Sequence, residues 1–297
     1  FYQRLTNEFP SSPYVDESNF ALGEYHFDNT QWRRALGHYL KVADNPRSRL
    51  FSFSLYKAAW CQYKIGSLKK ALSSLERVIR QGRKAKSEGR SSESGVSRIR
   101  LANEALKDLV VFYAEVGTAQ AAESYFSRVV GSGSATKLLE KLAYYYADTG
   151  NKPGGRFLFK ELIDRRPNHP KAYDYQYQIV TMYGASGEEK VFRQELYNWI
   201  ENYGPESIWA RANKQNPKLV KKSTQLIETT LRNYILQKHQ TAQNSRAPHS
   251  QKTAKSGYEL YFRTFSNTRR IAEMHFFYGE LLFDMKEYQR AAYHYNW

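Results

Sequence analysis

A spacing of thirteen residues returns five times along this chain, and no other feature restricts its fold as much. It joins Leu22 to Ala35, Ala58 to Ala71, Leu109 to Ala122, Leu142 to Gly155 and Tyr278 to Ala291. The neighbours of these pairs also recur. Gly23 and Tyr39 accompany the first pair, Gly66 and Leu75 the second, and Tyr113, Gly117 and Phe126 the third. Tyr146, Gly150, Phe159 and Pro167 accompany the fourth, and Gly279 and Tyr295 the last. One small unit used repeatedly predicts an array in which each member buries its apolar face against the next. The function of such an array is a surface rather than an enclosed pocket.

The residue types have a physical reason. Two antiparallel helices that cross closely need Gly or Ala on one where the other carries bulk, so Ala35 and Ala71 leave room for a partner's Leu or Tyr. Gly66, Gly117 and Gly150 are expected to end the first helix of a pair by taking positive φ. Pro46 and Pro167 close a unit, because proline opens a helix but does not continue one. Only 9 prolines occur in 297 residues, and glycines fall mostly between apolar runs, which favours helices.

These markers resemble the tetratricopeptide repeat, a helix–turn–helix unit of about 34 residues with W…LG…Y…A…F…P positions. The resemblance implies an all-α, right-handed superhelical solenoid of about seven repeats. We place them near residues 14–47, 51–81, 98–131, 135–167, 171–203, 217–265 and 269–297, the last truncated. The chain is therefore expected to be a fragment of a longer array. In the fifth repeat Phe192 stands where a small residue belongs, so that helix crossing is expected to be wider. Two segments rich in Ser, Gly and charge, 81–97 and 241–257, are read as exposed loops, the second inserted within the sixth repeat.

Within the family, FYQRLTNEFPSSPYVDESNFALGEYHF (Phe1–Phe27) and LYKAAWCQYKIGSLKKAL (Leu55–Leu72) are similar to repeats of bacterial envelope proteins. Outer-membrane assembly lipoproteins, Tol–Pal-associated coordinators and gliding-motility proteins share this cadence. The similarity implies a protein–protein scaffold in a multi-protein complex of the periplasm or cell envelope. Composition alone leaves the cytoplasm open.

Chemistry for catalysis is not found. The seven histidines form no HExxH or HxH arrangement, and there is no phosphate loop or dinucleotide fingerprint. GNKPGGRF (Gly150–Phe157) reads as a turn between helices. The single cysteine, Cys61, excludes an intrachain disulfide and a thiolate zinc cluster, and reads as a buried structural thiol. No apolar run approaches the roughly 18 residues of a membrane helix. We expect no enzyme activity, no cofactor and no metal.

Two surfaces are candidates for binding. In the family, first-helix residues at fixed offsets line a concave groove, and the resemblance maps Phe20, Phe27, Phe53, Tyr56, Trp60 and Tyr63 onto it. These rings would hold a partner segment, although rings at helical spacing also serve as packing between repeats. Phe20 and Glu24 stand where a family subclass carries a Lys/Asn/Arg clamp for chaperone tails, so that ligand is not expected. The second surface follows from charge. The formal net charge is +16, and residues 51–100 concentrate it, with 12 Lys and Arg against 3 Asp and Glu. Arg77, Arg80, Arg83, Lys84, Lys86 and Arg90 form a basic run that would take nucleic acid, anionic lipid or a wall polymer. No RNA-reading motif accompanies it, so nucleic acid is the less expected of these. Self-association through the truncated last repeat is also expected.

Overall fold

The computed structural model describes residues 1–89, 93–184 and 187–297. Among the described residues every regular element is a helix. The chain divides into two compact units, Phe1–Leu158 and Phe159–Trp297.

Unit 1 opens with α1 (Tyr2–Glu8) and continues as antiparallel pairs: α2 (Val15–Asp28) with α3 (Trp32–Ala43), α4 (Phe51–Lys64) with α5 (Leu68–Ser87), and α6 (Glu93–Ala114) with α7 (Ala122–Val130). It ends on α8 (Ser132–Thr149) and the first turns of α9 (Lys152–Arg165). Each helix from α2 to α5 packs on the one that follows it. The thirteen-residue spacing sits in these contacts, since Ala35, Ala58, Ala71 and Ala122 are all completely buried. On α5 the residues Leu72, Leu75, Val78 and Ile79 face inward while Lys69, Lys70 and Arg80 stay in solvent, the amphipathic pattern of a helix that covers a core. Tyr39, Leu55, Leu75, Phe112 and Phe126 fill the interior.

Unit 2 continues from α9 through α10 (Ala172–Gly184) with α11 (Glu189–Tyr203), the short α12 (Ile208–Ala212), α13 (Pro217–Ser245) with α14 (Pro248–Thr264), and α15 (Ile271–Asp284) with α16 (Tyr288–Tyr295). Its core is aromatic. Trp199, Trp209, Tyr258, Tyr261 and Tyr278 are nearly inaccessible to solvent. Both indoles find acceptors, Trp199 Nε1 donating to the Tyr173 carbonyl at 2.9 Å and Trp209 Nε1 to that of His169 at 2.8 Å. Glu195 is fully buried, yet Lys160 Nζ lies 2.9 Å away and Gln176 Nε2 donates to it at 2.7 Å.

One turn recurs in α2–α3, α4–α5 and α15–α16. Thr30, Gly66 and Lys286 occupy the left-handed region, and the next residue's N–H reaches a carbonyl five residues back: Gln31 to His26, Ser67 to Gln62, Glu287 to Leu282. This is a Schellman closure, which satisfies carbonyls left over at a helix end. Gly117 does not share it, contrary to expectation. Its φ is not left-handed; it is small because the Tyr113 ring lies 2.2 Å from where a Cβ would stand.

The two expected loops are largely helical, residues 90–92 of the first lying outside the described residues. Residues 81–87 prolong α5, and 93–97 already belong to α6. In the sixth repeat no loop is inserted over 241–257: α13 runs to Ser245 and α14 starts at Pro248, with Arg246 alone in the left-handed region between them. The glycines that suggested loops are contact points. A Cβ on Gly82 would meet Ala102 Cβ at 2.3 Å and the Arg98 carbonyl oxygen at 2.8 Å, and one on Gly257 would meet Ile235 at 2.8 Å. The bulk of Phe192 on α11 is accommodated by Gly184 on α10, whose Cβ would stand 3.2 Å from its ring. No helix among the described residues is long and apolar enough to cross a membrane.

Candidate interaction surfaces

The aromatic residues singled out from the sequence lie on α2 and α4, with α6 beside them. On α4, Phe53, Tyr56, Trp60 and Tyr63 recur at three- and four-residue steps and so share one side of the helix. Phe53 is 38% exposed; the others are half-buried. Their polar atoms are engaged. Asp108 of α6 accepts from the Tyr56 hydroxyl at 2.6 Å and, on the same oxygen, from Trp60 Nε1 at 3.0 Å. Burial and this hydrogen bond push the Tyr56 phenol up to about 12. Phe112 of α6 stacks on Tyr63 at 4.2 Å and meets Trp60 edge-on at 5.1 Å.

Phe20 and Phe27 on α2 pack edge-on against the buried Tyr39 of α3, at 5.7 and 6.3 Å. Glu24 stands between them on the helix. It accepts from the Tyr39 hydroxyl and from Lys57 Nζ of α4, whose ammonium lies 4.5 Å from the centre of the Phe27 ring. The six rings therefore serve partly as packing within unit 1 and partly as accessible surface, with Phe53 the most open. Asp108 and Phe112, which join α4 to α6, were not marked in the sequence, because a lone Asp in an amphipathic helix reads as a solvated position.

The basic run divides by helical geometry. Arg80, Arg83 and Lys84 of α5 line a cleft of about 470 Å³ together with Glu76, and α7 adds Arg128. Arg83 Nη1 donates to the Val129 carbonyl at 2.7 Å, and Arg128 makes a two-pronged pair with Glu76 at 2.9 and 3.0 Å. Despite its burial, Glu76 is held below the usual carboxylate range by those hydrogen bonds and by Arg128's charge. Arg77 lies over the Phe51 ring at 5.7 Å and does not line the cleft. Lys86 is exposed and does not line the cleft. Arg90 lies outside the described residues. Arg128 was missed because its distance in sequence hides a contact made only by the α5–α7 pairing.

Cys61 is fully buried in a small core with Ala35, Tyr39 and Ala58, and burial pushes its thiol up to about 12. Among the described residues no group of three or more His, Cys, Asp or Glu is arranged to hold a metal ion.

A family model for the tetratricopeptide repeat matches residues 53–81, the segment that contains most of α4 and most of α5. A search of curated proteins finds no match. Solved structures similar to the chain include YrrB, described as a TPR protein with an unusual peptide-binding site, at 15% identity over 72% of this chain and 97% of that one, TM-score 0.33. A tetratricopeptide repeat protein of Parabacteroides merdae shows 12% identity over 95% and 91%, TM-score 0.34. The TPR2AB domain of yeast Sti1, solved as a complex with pHSP90, shows 12% identity over 95% and 100%, TM-score 0.33. At these scores the three likenesses carry no weight for function.

Proposed function

The chain carries a tetratricopeptide repeat at residues 53–81, and from that premise we propose that it is a protein–protein interaction scaffold. The α2–α4–α6 side of unit 1 is its partner-binding surface. The observation that carries the reading is a set of rings along one side of α4, held by Asp108 and Phe112 of α6 and open to solvent at Phe53. Rings held in place lose little conformational freedom on binding, which is why aromatic residues dominate interface energetics. The reading assigns no catalytic step, and the Cys61 thiol stays protonated at neutral pH.

Phe53→Ala tests it better than changes at Tyr56 or Trp60, because those two also tie α4 to α6. Crosslinking pull-down from the native cell is expected to lose roughly tenfold of a recovered partner with Phe53→Ala, while circular dichroism stays helical. Equal recovery by wild type and variant would move binding off this surface. The same preparation tests a bacterial-envelope setting, supported by the cadence of residues 1–27 and 55–72; recovery of cytosolic proteins alone would overturn it. Self-association through α16 belongs to the same reading, since Tyr288 and Tyr293 on it and Trp297 just beyond it are more than half exposed. A monomer by light scattering at every concentration would remove it.

Polyanion binding at the α5–α7 cleft is the second reading, favoured by the convergence of Arg80, Arg83, Lys84 and Arg128. It loses ground to the first because Arg128 and Arg83 already have partners within the fold.

A further inference from the structure

Unit 2 contains a cleft of about 1020 Å³ that belongs to neither surface above. It opens between α12, the start of α13 and the connection that follows α14. On α13 the lining positions 217, 220, 221, 224, 225, 228 and 229 follow a three-and-four spacing, so they form one side of the helix.

The lining has apolar, cationic and neutral polar parts, the last supplied by Thr224, Gln225, Thr229, Asn267 and Thr268. Pro205, Ala210, Pro217 and Val220 make an apolar floor. Around it stand five cations: Arg211, Lys214, Lys221, Arg269 and Arg270. Arg270 pairs with Glu273 at 2.8 Å, and Arg211 donates to the Glu206 carbonyl at 2.9 Å. The side chains of Lys214, Lys221 and Arg269 make no ion pair or hydrogen bond among the described residues, and all three are exposed. The one carboxylate in the lining, Glu228, is committed elsewhere, accepting from the Tyr261 hydroxyl at 2.7 Å and from Arg232 Nε at 3.1 Å. Three unpaired cations over an apolar floor leave a site that is electrostatically incomplete.

We propose that this cleft binds an acidic segment of another protein, with carboxylates at the cationic rim and an apolar side chain on the floor between them. Charge complementarity selects the sign of the partner and speeds its arrival. The floor selects a peptide over a nucleic acid. No aromatic ring lines the cleft, so nothing there offers the stacking platform on which single-stranded bases rest. Its volume is at the upper end of ligand-enclosing cavities, enough for a few residues of chain. This site is independent of the aromatic surface of unit 1.

The test uses the whole chain and fluorescence anisotropy with a labelled, amidated Glu-Asp-Leu-Glu-Asp peptide. Binding is expected to be saturable at low salt and to weaken as salt rises. Lys214→Glu/Lys221→Glu should weaken it by about tenfold, and Arg269→Glu, in the connection rather than a helix, should act in the same direction. Replacing the peptide's Leu with Ser should weaken it as well. Arg80→Glu/Lys84→Glu and Phe53→Ala in unit 1 should leave it unchanged, so this site and the unit 1 surface succeed or fail separately. No saturable binding, an equal loss with the unit 1 charge variant, or indifference to the Leu→Ser change would each overturn the proposal. Tighter binding of labelled oligothymidylate, lost in the same unit 2 variants, would assign the cleft to nucleic acid instead.

Discussion

Thr30 and Lys286 hold the left-handed position that Gly66 fills between α4 and α5. The three turns have the same hydrogen bonds, so they differ chiefly in what the side chain costs. A Cβ in that conformation is penalised, and a β-branched one most of all. Thr30→Gly is therefore expected to stabilise the chain by about 1 kcal/mol, and Gly66→Ala to destabilise it by a similar amount. Urea denaturation read by circular dichroism measures both, and a loss of stability with Thr30→Gly would contradict the account. At this scale the sequence is a partial guide. Glycine reports that a Cβ is unwelcome without saying whether φ or a neighbour forbids it, which is why Gly66 read correctly and Gly117 did not.

Among elements, the pairing of helices was legible and the lengths of the longest were not. Ala35, Ala71 and Ala122 mark crossings, and each is fully buried where its helix meets a neighbour. The ends of α5, α13 and α14 were hidden by composition. Segments 81–87 and 241–257 carry the Ser, Gly and charge of a loop, but their Ala, Lys and Gln are good helix formers, and neighbouring helices bury Gly82, Ala85, Ala242 and Ala254. The candidate surface was legible to the same depth. Its rings follow from their positions on α2 and α4, whereas Asp108, Phe112 and Arg128 are brought in by packing between distant helices. Gly82 and Gly37 separate the two uses of a helical glycine. Gly82→Ala should cost about 1–3 kcal/mol, because the Arg98 backbone blocks the new methyl. Gly37→Ala on α3, with nothing within 4 Å, should gain about 0.5–1 kcal/mol. Denaturation midpoints of the two variants should move in opposite directions.

For the whole molecule, the distribution of buried histidines makes acid sensitivity a property mainly of unit 2. His275 is stacked between Phe262 and Trp297, each 4.1 Å away, and its Nδ1 lies 2.6 Å from that of His294. The contact needs a proton on one Nδ1 and a lone pair on the other, so it is lost once both rings are protonated. Burial, and then His294, pull His275 down to about 4. His239, bonded to the Tyr258 hydroxyl at 2.8 Å, is lowered by burial too, as is His294. In unit 1 His38 is lowered, again chiefly by burial. The native state keeps these rings neutral, while the unfolded chain takes up protons near pH 6.5. Their contribution is thus complete above about 6.5, falls as pH drops, and for His275 is gone near 4. Urea midpoints should decline from pH 7 to 5, and His275→Gln should flatten the decline; a midpoint constant over that range would refute it.

The bond from Trp60 to Asp108 has an optical consequence. Indole emission responds to the polarity around the ring and to the partner of its N–H, and this indole stands at the edge of the proposed partner surface. A molecule that settles over Phe53 and leaves Asp108 in place would dry the ring and shift its emission to the blue. One that draws Asp108 away would release the N–H to water and shift it to the red. The contribution of Trp60, read as the difference in emission between the wild-type chain and Trp60→Phe, therefore distinguishes a guest that rests on the rings from one that unfastens α4 from α6.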